Sequence, residues 1–397
     1  MRVQSIVNTF LNDVTPTMHK VRRASLYASL TSLLQGSPLS ITGIGRNITS
    51  QTSEKHQIKR SMRLCCNPHL QAEIQAIYSR MALRIIHQQT QPIILVDWSD
   101  LDPRKQHFLL RASVAIEGRS LTLLEKIYTV RQKEKPSIHK AFMETLKSML
   151  PEHCRPIIVS DAGFRVPWFA LIESLGWDYV GRVRNKTMCR QNEDEEWFLT
   201  RQFYQSASTA EQPLGRYQLR RKNSFECALV IYQKRRKGRK NLTATGERSR
   251  ASSNSLVNAS REQEPWLLAT SLTAETRREA RKIVNIYRSR MQIEESFRDL
   301  KTGLQFHHSK TRTLPYLAVL LLLAMLAQTI LFLLGMAIKL TKRHLGYQAN
   351  SVKNAAVLSY HFIGLRAFKD TTLRLKQIEW EAAYQKMQRL MMEHLDV

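Results

Sequence analysis

Ile93-Ile94-Leu95-Val96-Asp97 is a continuous apolar run that ends in a carboxylate, and Ile157-Ile158-Val159-Ser160-Asp161 repeats the pattern further along the chain. An apolar run of this length suits a strand buried on both faces, whose last side chain emerges at an edge of its sheet. Either aspartate alone is an ordinary strand-end residue. The repetition is what gives the pair weight.

Between and beyond these runs lie further elements. Strand patterns around 108–116 and 120–130 are joined by a turn near Glu117-Gly118-Arg119. Ser137 can cap a helix whose apolar positions Ile138, Phe142, Leu146 and Met149 recur at helical spacing before Pro151. A helix near 167–175 leads through Gly176 into a strand pattern at 177–184. The order strand, strand, strand, helix, strand, helix, strand is that of a ribonuclease-H-like α/β core. In that core the first and fourth strands are parallel neighbours, which predicts Asp97 and Asp161 together.

A third carboxylate comes from Tyr287-Arg-Ser-Arg290-Met291-Gln-Ile-Glu294-Glu-Ser-Phe-Arg298-Asp-Leu-Lys301. Read as one helix at about 100° per residue, Tyr287, Arg290, Glu294, Arg298 and Lys301 fall within an arc of roughly 80°. Ile286, Ile293, Phe297, Leu300 and Leu304 form an adjacent apolar stripe, and Glu295 and Asp299 point away. One carboxylate among cations and a phenol suits a metal and a polyanion. Alone, the segment reads equally as an amphipathic helix with solvated i,i+4 pairs.

Composition bounds the partners. The 397 residues carry 61 Lys+Arg against 33 Asp+Glu, a net charge of +28, and are 43% hydrophobic. That describes a folded protein with a polyanionic partner, nucleic acid before acidic lipid. Five cysteines without a C-x-x-C pair predict neither disulfides nor structural zinc. Met1 to Asn12 lacks a signal-peptide core, so a cytoplasmic, nucleoid-associated location is expected. Tyr316 to Ile338 is apolar and long enough to span a bilayer, but a helix apolar all round is equally one buried in a large domain. The latter is expected, with no membrane partner.

The organisation expected is a helical DNA-binding domain over 1–88, a first core part over 89–184, a β-rich basic insertion over 185–263, a second core part with the catalytic Glu helix over 264–340, and a helical C-terminal region over 341–397. In the first domain Ser37-Pro38-Leu39-Ser40 can cap a helix, and Gly43 and Gly45 break the pattern or form a plain turn. Arg46, Lys59, Arg60 and Arg63 offer a basic face to DNA. In the insertion, Lys234 to Lys240 holds six basic residues in seven, including Lys237, Arg239 and Lys240. Self-repulsion in such a run is relieved by phosphates, though a solvated loop has the same composition.

Three carboxylates are the right donors for Mg²⁺, a hard cation that keeps several waters. Two such ions can activate the attacking oxygen and stabilise the leaving oxygen of a phosphoryl displacement. Arg290, Arg298 and Lys301 would bind the flanking phosphates. No P-loop or zinc spacing competes, and His107 and Cys154 lack partners in sequence.

The spacing Tyr287-x2-Arg290-x3-Glu294-x6-Lys301, with Val96-Asp97-Trp98-Ser99-Asp100 and Val159-Ser160-Asp161-Ala162-Gly163-Phe164, resembles the DDE transposases of insertion sequence family four. The resemblance implies a triad of Asp97, Asp161 and Glu294 holding two Mg²⁺, with Mn²⁺ able to substitute. It also implies an endonuclease acting as a homodimer on double-stranded DNA: paired inverted-repeat ends, cut through a hairpin intermediate, and joined by their 3′ ends to target DNA. By the same resemblance Trp266 stacks a flipped base, Met291 is an apolar wedge, and Tyr287 and Arg290 hold the flipped nucleotide's phosphate. Trp266 as a core aromatic, and Met291 as simple packing, remain alternatives. So do a ribonuclease-H-fold nuclease or resolvase without strand transfer, and a non-catalytic basic DNA-binding or membrane-associated protein.

Overall fold

The computed structural model describes residues 3–234, 264–349 and 358–393. Five helices open the chain: α1 (Val3–Val14), α2 (Lys20–Leu34), α3 (Ile41–Arg46), α4 (Glu54–Cys65) and α5 (Pro68–Ile86). Next come β1 (Ile93–Asp100), β2 (His107–Ala115), β3 (Ser120–Thr129), α6 (Pro136–Met149), β4 (Ile157–Ser160), α7 (Val166–Ser174) and β5 (Asp178–Arg182). Four strands follow, β6 (Met188–Arg190), β7 (Phe198–Leu199), β8 (Gln212–Leu219) and β9 (Phe225–Tyr232), and after them β10 (Trp266–Thr270). The described chain closes with α8 (Arg277–Arg288), α9 (Met291–Arg298), α10 (Leu314–Leu340), α11 (Tyr360–Lys369) and α12 (Gln377–Glu393). The class is mixed α/β, and the element order over 93–182 is the one the apolar runs predict.

The chain divides into two compact units, Met1–Cys154 with Ser289–Asp396, and Arg155–Arg288. In the first, β1 pairs antiparallel with β2 and β2 with β3. Its core is built on α10, apolar on every side, which packs against α2, α4, α5, α11, α12 and β3. In its most apolar window 89% of the residues are buried. A Cβ on Gly335 would lie 1.9 Å from the Tyr360 carbonyl oxygen, and one on Gly364 would lie 2.0 Å from that of Leu331. Glycine on both helices thus lets the α10 and α11 backbones touch.

In the second unit β4 runs parallel to β5, and β5, β10, β9, β8 and β6 continue as an antiparallel series that ends at β7. β6 to β9 lie between Met188 and Tyr232. The basic run Lys237, Arg239 and Lys240 lies outside the described residues.

Four local expectations are corrected. β1 does not end at Asp97; its ladder with β2 continues to Asp100 opposite Phe108, because backbone pairing outlasts the apolar run. Helix α6 starts at Pro136, not after Ser137, since proline's fixed φ suits the first helical turn. Gly43 and Gly45 lie within α3, and a Cβ on Gly45 would come 2.6 Å from the Ile58 Cα, so glycine serves close packing of α3 on α4. Finally, the single helix expected from Tyr287 to Lys301 is split. α8 ends at Arg288, and α9 opens with i→i+3 bonds from Gln292 N–H to the Ser289 carbonyl and from Ile293 N–H to the Arg290 carbonyl. A π turn over Asp299–Gly303, closed by Leu304 N–H to the Asp299 carbonyl at 2.7 Å, carries Lys301.

Candidate active site

In the first unit, α9 is fixed by the residues that flank Glu294. Gln292 Oε1 accepts from Ile116 N–H at 2.8 Å, while Ser296 Oγ accepts from Ser120 N–H at 3.0 Å and donates to the Ser120 carbonyl at 2.8 Å. Ile293 and Phe297 are buried. With that side pinned to the β2–β3 hairpin, the half-exposed Glu294 points the other way. Its Oε1 lies 2.6 Å from Arg290 Nη2, and Arg290 Nη1 reaches Asp97 Oδ2 at 3.5 Å. The guanidinium therefore answers two carboxylates at once, the charge demand a divalent cation would also meet.

The surroundings of Asp97 are organised from below. The strand register sets Asp97 opposite Arg111, and Arg111 opposite Glu125. Arg111 and Glu125 form a fully buried pair at 2.7 Å, Tyr78 donates to Glu125 at 2.7 Å, and the Arg111 guanidinium lies 4.8 Å from the Phe297 ring centroid. Burial lifts the Tyr78 phenol well above its usual range, so it stays a donor. Next to Asp97, Trp98 Nε1–H donates to His139 Nε2 at 3.1 Å; burial pushes that imidazole down to about 4, leaving it neutral and able to accept. Lys301 pairs with Asp100 at 3.1 Å. Partial burial would raise the Asp100 carboxyl, but the Lys301 bond and charge hold it below the usual range.

In the second unit Asp161 follows the last residue of β4, as the sequence predicts, and its Oδ1 accepts from Gly163 N–H at 2.8 Å. A Cβ on Gly163 would meet that same oxygen at 2.8 Å, so the turn requires glycine to keep the carboxylate where it is. Trp266 is half-buried between Tyr232 and Tyr287, with ring centroids 5.7 and 4.9 Å away. Tyr287 itself is buried.

The other residues singled out in the sequence are dispersed. Arg298 turns to Glu295 and not toward Glu294. Arg119, which the sequence did not flag, holds Asp299 at 2.6 Å and Glu295 at 3.4 Å, accounting for the two acids that point away. Met291 is 47% exposed and does not pack as a core residue. Lys59 and Arg63 are exposed on α4. Arg46 pairs with Glu54 at 3.0 Å, and Arg60 donates to the Ala24 carbonyl at 3.1 Å, tying α4 to α2. His107 has a partner that the sequence pattern does not reveal, Asp102 at 3.3 Å, and Cys154 is buried.

Residues 88–330 match the sequence model of the family described as transposase DDE domain, a span that contains Asp97, Asp161 and Glu294. The chain belongs to that family. It is a DDE transposase, a DNA-cleaving enzyme of a class that depends on a divalent metal. No curated protein matches it. Among solved structures it is similar to one described as a piggyBac transposase synaptic complex with hairpin DNA, at 11% identity and a TM-score of 0.44, over 100% of this chain and 79% of that one.

The donor chemistry fits the metal: Asp97 and Glu294 present hard carboxylate oxygens that already converge on a cation. Among the described residues, no three His, Cys, Asp or Glu side chains are gathered closely enough to hold an ion. In this structure the Arg290 guanidinium fills that charge role for two of them.

Proposed function

We propose that this DDE transposase belongs to insertion sequence family four and moves DNA by cut and paste. The strings around Asp97 and Asp161, with Lys237-Gly238-Arg239-Lys240-Asn241, are similar to the transposon ten transposase. The observation that carries the reading is that the family match spans both aspartates and the Tyr-x2-Arg-x3-Glu-x6-Lys spacing, with Arg290 bound to Asp97 and Glu294.

On this reading Asp97, Asp161 and Glu294 would hold two Mg²⁺ ions, which when bound would supply Lewis-acid activation and charge neutralisation at the reacting phosphate. The chain's own cations do the rest. Arg290 exchanges its carboxylate partners for a phosphate, where its fork binds two oxygens, and Lys301 leaves Asp100 for a neighbouring phosphate. Trp266, with Tyr287 beneath it, offers a face to a base flipped from the duplex end as the hairpin forms. The exposed Met291 enters the gap. Lys59 and Arg63 hold the element end. A homodimer pairs two inverted-repeat ends, and the enzyme works on the nucleoid, in the bacterial cytoplasm.

The test is a linear DNA bearing the flanking inverted repeats, incubated with the protein, Mg²⁺ and a target plasmid. Hairpin-ended flanks or donor, followed by joined product, are expected. Nicking with no joined product would reduce the reading to a nuclease.

A further inference from the structure

Within the second unit a cavity of about 530 Å³ opens beside the Asp161 turn. That volume lies in the range of small-ligand sites. The exposed Pro167 and half-buried Met188 give it an accessible apolar floor, backed by the buried Phe164, Phe169 and Val183, and Phe164 N–H is bonded to the Asp161 carbonyl at 3.3 Å, so the floor continues directly from the turn.

The rim is cationic. Two of its arginines are engaged: Arg184 donates to the Ala162 carbonyl at 2.6 Å, and Arg182 reaches Glu264 at 3.4 Å. Arg165, Lys186, Arg221 and Lys222 make no ion pair among the described residues, and all four are exposed. The last two sit at the tip of the β8–β9 hairpin, where left-handed Arg220 (φ 71°) and Asn223 (φ 52°) tighten the turn that carries them. Like charges gathered this way repel one another until phosphates neutralise them.

We propose that this cavity is a second nucleotide site, which takes one unpaired base of the DNA on its apolar floor and that nucleotide's flanking phosphates on the rim. A groove that met only phosphates would not need aromatic and aliphatic side chains at its base. An apolar peptide would not need four uncompensated cations around it. An unstacked nucleotide uses both features. The cavity shares no lining residue with the aromatic cluster of Tyr232, Trp266 and Tyr287, and it borrows from the family only that the chain acts on DNA.

The experiment measures binding of the full-length protein, in chelator so that no cleavage occurs, to three fluorescent duplexes of one sequence. One is fully paired, one carries a single unpaired 2-aminopurine, and one carries an unpaired abasic residue. The 2-aminopurine duplex should bind about tenfold more tightly than either of the others, with a change in 2-aminopurine emission. The double variant Arg221→Ala, Lys222→Ala, altered only at exposed side chains, should lose that preference while keeping its far-ultraviolet circular dichroism. Equal affinity for the three duplexes in the unmodified protein, or an undiminished preference in the double variant, would overturn the proposal. Because the assay contains no metal, a chain that fails to cleave or join DNA leaves this result unaffected.

Discussion

Asp97 and Glu294 share one guanidinium: Arg290 lies 2.6 Å from the glutamate and 3.5 Å from the aspartate. The two carboxylates belong to elements far apart in sequence, and the arginine between them screens their mutual repulsion. Replacing Arg290 by Ala should cost about 1 kcal/mol of stability in urea unfolding and lower DNA cleavage at least roughly tenfold, because the phosphate fork is lost. Arg290→Lys should recover most of the stability and little of the cleavage, since an ammonium supplies the charge but not the two-oxygen geometry. Equal recovery of both would show that charge alone matters.

Gly163 is the second point of control. Gly163→Ala places a methyl 2.8 Å from Asp161 Oδ1, the atom that the Gly163 N–H now binds. Displacing a reacting carboxylate by about 1 Å costs on the order of 100-fold in rate. We expect a loss of that order in single-turnover cleavage with only a small shift in the thermal midpoint. Full activity in the variant would show that this turn does not position Asp161.

Beneath Asp97, the Arg111–Glu125 pair is fully buried. Removing one partner strands a charge, so Arg111→Met or Glu125→Met should each destabilise the protein by about 3–5 kcal/mol. Arg111→Met combined with Glu125→Met should cost much less than the sum of the two single changes, as read in a urea double-mutant cycle. Additive losses would mean that the two residues are not energetically coupled.

Much of this is legible in the sequence because buried strands write themselves as apolar runs. Ile93–Val96 and Ile157–Ser160 mark β1 and β4, and the 3.6-residue spacing from Ile138 to Met149 marks α6. Glu294 stands out from Glu295 and Asp299 by helical phase, and in the structure the latter two are indeed held elsewhere, by Arg119. Three things are hidden. Hydropathy does not see backbone ladders, so the apolar run stops at Asp97 while the strand goes on to Asp100. Periodicity assumes an unbroken helix, and Ser289-Arg290 carries no Gly or Pro to announce the break; nor does helical phase choose between acids three and four residues away, and Arg298 takes Glu295. Buried charges are invisible when each is paired across strands, as Arg111 and Glu125 are.

If Asp97, Asp161 and Glu294 act together on a DNA phosphate, Mg²⁺-dependent cleavage of element-end DNA should depend on each of them, as read with Asp97→Asn, Asp161→Asn and Glu294→Gln made singly. Each variant should bind the end DNA nearly as well as the unmodified protein and show no cleavage above background. Cleavage retained by any one of the three would mean that the carboxylate replaced in it takes no part in the reaction.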